Sequence, residues 1–455
     1  MSRFNLSFFQ DLLSTISEQG HRLVFQNVAS GSGQLVPELV ERLLSGQGEA
    51  SGIALARELL NGYASLDHNE KREFFELLLN NYGPDHDAIA SAVQKYQSQP
   101  EDETAIQLFE TCEPRRQELL RRLNLASGAT ASLVAMRSDL ITFLKDNPAL
   151  KAVDRDFYHL LSSWFNRGFL VLRRIDWNTP AIILEKIIQY EAVHAIQSWE
   201  DLRNRIEPKD RRCYAFFHPA LADEPLIFVE VALTGSTPDG IAPILDMQRT
   251  PSLEADATTA AFYSISNCQV GLKGISFGSF LIKQVAEELK RDLPGLKDFV
   301  TLSPVPGFKK WLDQERGLEQ SEFFTSEDNE LLSQLENESW LDEVANGELS
   351  SLVLNIASRY FLEARDPRGR LVDPVARFHL GNGAQLEHIH WQADCSVAGL
   401  SQSYGLMVNY LYDLAVIERN HESFMSKGLV VASAEVEKLN KTKKTKQRNR
   451  SERDV

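Results

Sequence analysis

Three short stretches of this 455-residue chain carry residue types whose spacing could do chemistry. The first is Gly271-Leu272-Lys273-Gly274-Ile275-Ser276-Phe277-Gly278-Ser279. Backbone N–H groups from Lys273 to Ser279, at the start of a helix beginning near Gly278, would suit a pyrophosphate that the helix dipole also favours. The same letters contain Gly274-x-Ser276-x-Gly278, the pattern of a nucleophile elbow in which Ser276 would attack an ester or thioester carbonyl. An elbow needs a buried strand running straight into its serine, and Gly271-Leu272-Lys273 makes a poor strand end. A purely structural glycine turn is the third reading. The second stretch places Ser303 before Pro304, which biases the serine to an extended backbone, while Pro306 stiffens the loop. Such a serine is a turn former or a hydroxyl on a rigid support. The third holds His379 between Phe378 and Leu380, read here as a strand with the imidazole facing opposite to both neighbours. It is either a satisfied core histidine or a proton-transfer group with a reference pKa of about 6.5. His388 and His390, with Glu387 and Asp394 nearby, would share one face of a strand. A metal would need a third ligand from elsewhere, and a surface-facing strand explains the pair without one.

The elements that must position these groups change character near Trp164. From Phe4 to about Leu150 the apolar residues recur at helical spacing. Leu55, Leu59 and Leu60 form one stripe and Phe74, Phe75, Leu77, Leu78 and Leu79 another, with Gly83-Pro84 as the helix stop. Residues 101–128 continue the pattern. Beyond Trp164, the runs 168–175, 211–218, 225–233, 260–268, 297–303, 376–380 and 384–392 are β-prone. Helices are expected at 278–292 and 404–419. A mixed, mainly antiparallel sheet with helices on its faces fits this order better than a regular βαβ repeat. The acidic stretch 313–348 reads as surface helices inserted between strands, with Ser326 as an N-cap.

Length points to two domains, because single cores stop growing at roughly 250–300 residues. The formal net charge of −16 weighs against nonspecific nucleic-acid binding. Residues 441–455 run the other way at +5, leaving −21 for residues 1–440; with nothing apolar before Val455, this tail is expected to be disordered. No run of 18 apolar residues suggests a membrane span. The first twenty residues lack a secretory cleavage pattern, so a cytoplasmic protein is expected. Cys112, Cys213, Cys268 and Cys395 form no close pair and are expected to be reduced and packed in the core.

Several segments, taken in order, carry a resemblance. They are YSIS (263–266), GLKG (271–274), FGSFLIKQV (277–285), LSPVPGF (302–308), ARFHLGNGA (376–384) and YGLMVNY (404–410). The stretches 160–177 and 211–234 have the same character. Together they resemble the malonyl-CoA decarboxylase family. The resemblance implies an α+β chain. A helical domain at 1–160, through which the family self-associates, would precede an acetyltransferase-like (GNAT-type) mixed-sheet catalytic domain at 161–440 and the tail. It also implies a homo-oligomer, a dimer or tetramer, acting on malonyl-CoA. The turn Lys273, Gly274, Ile275, Ser276, Phe277, Gly278 and Ser279 would then contact coenzyme A, although Lys273 and Ser276 depart from the Gln/Arg-x-x-Gly-x-Gly/Ala form of such turns. Ser303 and His379 match the catalytic serine and histidine, with Asn382, Tyr410 and His218 as supporting residues. Loss of CO2 from malonyl-CoA leaves a thioester enolate that must be stabilised and then protonated. The thioester itself is the electron sink, so no metal, biotin or thiamine cofactor is expected. The competing reading is an acyl-CoA thioesterase or serine hydrolase using Ser276.

Overall fold

The computed structural model describes residues 35–46, 48–165, 167–275, 281–336, 338–341 and 347–441. Two compact units emerge. One holds the helices up to Val171, the segment Phe217–Glu224 and the stretch starting at Gln269; the other holds most of the rest, including the sheet.

In the first unit the apolar stripes become a helical core in which Leu55, Leu59, Phe75, Leu78, Leu140 and Phe157 are fully buried. The run read as ending in one stop at Gly83-Pro84 is two helices, Glu49–Ala64 and His68–Asn81. Asp67 separates them. Its carboxylate accepts the N–H groups of Asn69 and Glu70, and Glu70 returns a bond to the Asp67 N–H, a reciprocal cap that starts the second helix. Leu77 and Leu79 of the second stripe are only half-buried, whereas Phe74, Phe75 and Leu78 form its buried face. Arg116 pairs with Asp156 inside this core. The helix Ala129–Phe143 packs against a 3-10 turn at Val270–Leu272.

Among the described residues of the second unit, eight strands form one sheet: β1 (Val171–Ile175), β2 (Arg211–Phe217), β3 (Pro225–Thr234), β4 (Thr259–Asn267), β5 (Asp298–Thr301), β6 (Ser303–Pro304), β7 (Gln385–His390) and β8 (Met407–Leu411). The order is β1-β2-β3-β4-β5-β8-β6, with β7 also on β8. β4 and β5 are parallel and are joined through the amphipathic helix Leu281–Asp292, whereas β3–β4, β5–β8, β6–β8 and β7–β8 are antiparallel. The expected helical region followed by a mixed sheet is therefore the observed architecture.

Four local expectations are corrected. Residues 376–380 are helical, inside Pro374–Gly381. Asp373 caps this helix by accepting the Ala376 N–H, Pro374 suits its first turn, and Gly383 at φ +84° follows its end, so the flanks override the β-prone letters between them. The helix expected over 404–419 is instead β8 followed by the helix Ile417–Lys427, because Tyr404 and Gly405 both take positive φ and end the preceding helix Val397–Ser403. Thr325, not Ser326, is the N-cap of Ser326–Leu332, and its hydroxyl accepts the Asp328 N–H. Of the four free cysteines, Cys213 and Cys268 are buried, but Cys112 and Cys395 are exposed: one is the cap residue after the helix Asp102–Thr111, the other precedes Val397–Ser403. No helix among the described residues is long and apolar enough to cross a membrane.

Candidate active site

β4 and β5 separate after the pair Phe262↔Thr301. β4 continues to Asn267 beside β3, while the chain beyond β5 turns so that Ser303 and Pro304 pair with Val408 and Met407 of β8. A cavity of about 260 Å³ opens where the two parallel strands part. Phe262, Tyr263 and Ile265 line it from β4, Ser303 from β6, and Phe378 and His379 from the helix Pro374–Gly381. A crevice at the carboxyl ends of diverging parallel strands is a usual place for a ligand in α/β sheets. Every described residue lining it is uncharged or a histidine.

Ser303 and His379 lie 76 positions apart in sequence and meet here. Ser303 Oγ is 3.1 Å from His379 Nε2 and donates to Thr301 Oγ1 at 2.9 Å. Both residues are buried. On its other side His379 Nδ1 lies 2.7 Å from the Tyr412 hydroxyl, and Tyr410 stacks on the imidazole with centroids 4.5 Å apart at 22°. Burial alone pushes the histidine down to about 3, so the ring is neutral near pH 7. Burial likewise pushes Tyr412 well up, so it keeps its proton. One order of donors then satisfies all three bonds: Tyr412 O–H to Nδ1, Nε2–H to Ser303 Oγ, and Ser303 O–H to Thr301. The support is equally specific. The Tyr410 N–H donates to Thr301 Oγ1, and the buried Asn409 side chain donates to the Thr301 carbonyl at 2.7 Å.

The other residues marked in the sequence fall in different places. Tyr410 is in the pair's immediate surroundings. Asn382 serves the helix that carries His379, as its C-cap, donating to the Phe378 carbonyl. His218 belongs to the first unit, where it packs on Phe165 and Phe169 and its Nδ1 accepts the Ala220 N–H. Lys273 and Gly274 are exposed and Ile275 is buried, while Ser276, Phe277, Gly278 and Ser279 lie outside the described residues. His388 and His390 have ring centroids 5.8 Å apart; His388 Nδ1 meets Glu435 and His390 Nε2 meets Asn409. Among the described residues no group of three or more His, Cys, Asp or Glu side chains could hold a metal. Thr301 and Tyr412 were not foreseen. Their signal was the two-residue alternation Thr301/Ser303 and Tyr410/Tyr412, which puts each pair on one face once the segments are read as strands.

A larger cavity of about 360 Å³ lies at Leu318–Asp328 with Arg316 and Arg359 in its wall. Arg316 is already bonded to Asn329 and Glu336, and Arg359 to Glu363 and two carbonyls, so the smaller, chemically equipped cavity is the stronger site.

Residues 168–451 match the malonyl-CoA decarboxylase C-terminal domain and 82–165 its N-terminal domain. The goose enzyme named malonyl-CoA decarboxylase, mitochondrial, is 34% identical over 413 residues, covering 83% of this chain and 82% of that protein. The mouse protein of that name is 34% identical, covering 81% of each. The crystal structure of malonyl-CoA decarboxylase from Rhodopseudomonas palustris is 53% identical with a TM-score of 0.87, over 90% of this chain and all of that one. The Agrobacterium vitis structure is 52% identical with a TM-score of 0.85, over 89% of this chain and 99% of that one. The chain belongs to the malonyl-CoA decarboxylase family, and with it to the carboxy-lyases.

Proposed function

We propose that this protein removes CO2 from malonyl-CoA to give acetyl-CoA, with Ser303 and His379 handling the proton. The observation that carries the reading is the buried Ser303–His379 hydrogen bond in an uncharged cavity, within a chain of this family. The bond between the carboxyl carbon and the α-carbon breaks, CO2 leaves, and the electron pair passes into the thioester enolate. With substrate bound, the Ser303 O–H turns from Thr301 to donate to the malonyl thioester. His379 is neutral in the free protein because nothing offsets its burial. An anionic substrate beside the ring supplies the missing opposite charge and raises its proton affinity, so the proton arrives with the substrate. His379, then protonated on both nitrogens, gives the Nε2 proton to the α-carbon, directly or through the Ser303 hydroxyl, while its Nδ1–H donates to the Tyr412 oxygen. The reaction needs no added metal, biotin or thiamine, because the thioester accepts the electron pair. The turn Lys273–Ser279 contributes to coenzyme A binding.

The helical region, residues 1–160, serves assembly into a homo-oligomer. Its helix Asp102–Thr111 supports this, since none of its side chains is fully buried and Ile106 and Phe109 are exposed. Incubation of the protein with malonyl-CoA, before and after dialysis against EDTA, tests the activity. Acetyl-CoA without free coenzyme A is expected in both. Free coenzyme A with malonate would favour a thioesterase, and a loss on dialysis that zinc restores would overturn the metal-free reaction.

A further inference from the structure

The backbone of the turn at Val270–Ile275 is gripped from the helical side by one buried arginine. Arg137, on the helix Ala129–Phe143, is 3% exposed. Its Nη1 donates to the carbonyls of Gly271 at 2.8 Å and Lys273 at 3.1 Å, while its Nε bonds Asp154 at 2.8 Å and its guanidinium lies over the Tyr158 ring. Asp154 and Tyr158 both sit on the helix Lys151–Trp164. One side chain thus fastens two helices and the turn together.

The contact has a directional consequence. In a planar trans peptide the carbonyl and the next N–H point opposite ways. With the Lys273 carbonyl held inward on Arg137, the Gly274 N–H is turned outward, on a residue that is itself exposed beside the exposed Lys273. Two carbonyl oxygens that would repel an anion are also occupied by the guanidinium. The turn's backbone lies tight against the helix: a Cβ on Gly271 would lie 1.9 Å from the Val134 carbonyl oxygen. Leu272 and Ile275 are buried, so Lys273 and Gly274 are presented between two anchored positions.

We infer that Arg137 is a positioning residue for coenzyme A binding: within the first unit it sets the peptide plane that aims the Gly274 N–H at a phosphate. Gly271 holds the same turn against the same helix. The inference rests on the proposed coenzyme A role of this turn. It requires a substrate with phosphates to feel Arg137 and one without them to be indifferent.

The test compares malonyl-CoA with S-malonyl-N-acetylcysteamine, which keeps the malonyl thioester and lacks every phosphate. The unaltered protein should show a much lower KM for malonyl-CoA. Arg137→Met and, independently, Gly271→Ala should each raise KM for malonyl-CoA about 10-fold, one lost charge-assisted contact to the ligand's phosphate. Their kcat, and their turnover of the truncated thioester, should move far less. Arg137→Lys, which keeps the charge but not the fork, should fall between. Equal losses on both substrates in the variants would make Arg137 merely structural and overturn the inference alone, as would unchanged KM in both. An equal KM for the two substrates in the unaltered protein would overturn the coenzyme A role of the turn, and the inference with it.

Discussion

His379 is held neutral by full burial with no charged neighbour, which pushes its imidazole down to about 3. Unfolded, the same ring takes a proton below about pH 6.5. Between these values the unfolded chain binds the extra proton, so the stability this residue supplies is complete above about pH 6.5 and is lost as the pH falls toward 3. Asp373 and Glu230 act in the opposite sense, since burial raises them to about 6 and about 8, so the profile of the whole protein mixes both signs. The difference between wild type and His379→Asn isolates the ring. In urea denaturation between about pH 6 and pH 5, wild type should lose up to about 1.4 kcal/mol per pH unit more than the variant. Parallel profiles would mean that the ring is not neutral. Tyr412→Phe tests the donor order directly. It leaves Nδ1 without its donor, and kcat should fall about 10-fold or more with KM little changed. If instead KM rises while kcat holds, Tyr412 acts on substrate binding and not on the histidine.

At the scale of elements, the helix Pro374–Gly381 is what delivers His379, and its start depends on the buried Asp373. Asp373 accepts the Ala376 N–H at 2.7 Å and the Tyr360 hydroxyl at 3.3 Å. Asp373→Ala should cost about 1–2 kcal/mol of stability, as lost N-caps do, and lower kcat by letting the histidine drift. Asp373→Asn, which can still cap, should restore most of both; chemical denaturation and steady-state rates on the two variants decide it. This helix also shows where sequence reading stops. The letters of 376–380 are β-prone, and only Asp373-Pro374 before and Gly383 after them argue for a helix. β3, β4 and β7 were legible because each lies in a β-prone run long enough to show it. β8 was not, since Met407-Val408-Asn409-Tyr410-Leu411 is short and half-apolar on both faces. Ser303 and His379 could be named from a resemblance, but Thr301 and Tyr412 depend on β5 and β6 both pairing with β8. The two-residue alternation puts each pair on one face, but the non-local register that brings those faces together leaves no local mark.

At the scale of the whole molecule, the helical region should assemble copies of the chain. Phe109 is 80% exposed and Ile106 58%, on a helix none of whose side chains is fully buried. Replacing both with Asp should lower the mass seen by light scattering at micromolar concentration while leaving the thermal transition nearly unchanged, because neither side chain is packed in the fold. An unaltered protein that is strictly monomeric would contradict assembly outright; an oligomer indifferent to both substitutions would move the contact to another face. The central claim is that decarboxylation runs through Ser303 and His379. Its most direct test is product analysis by mass on malonyl-CoA turned over by wild type, Ser303→Ala, His379→Ala and Ser276→Ala in parallel. We expect acetyl-CoA from wild type, a fall in kcat of about 10²-fold or more for each of the Ser303 and His379 variants, and a mild effect at Ser276. Release of free coenzyme A that vanishes in Ser276→Ala and persists in Ser303→Ala would contradict it.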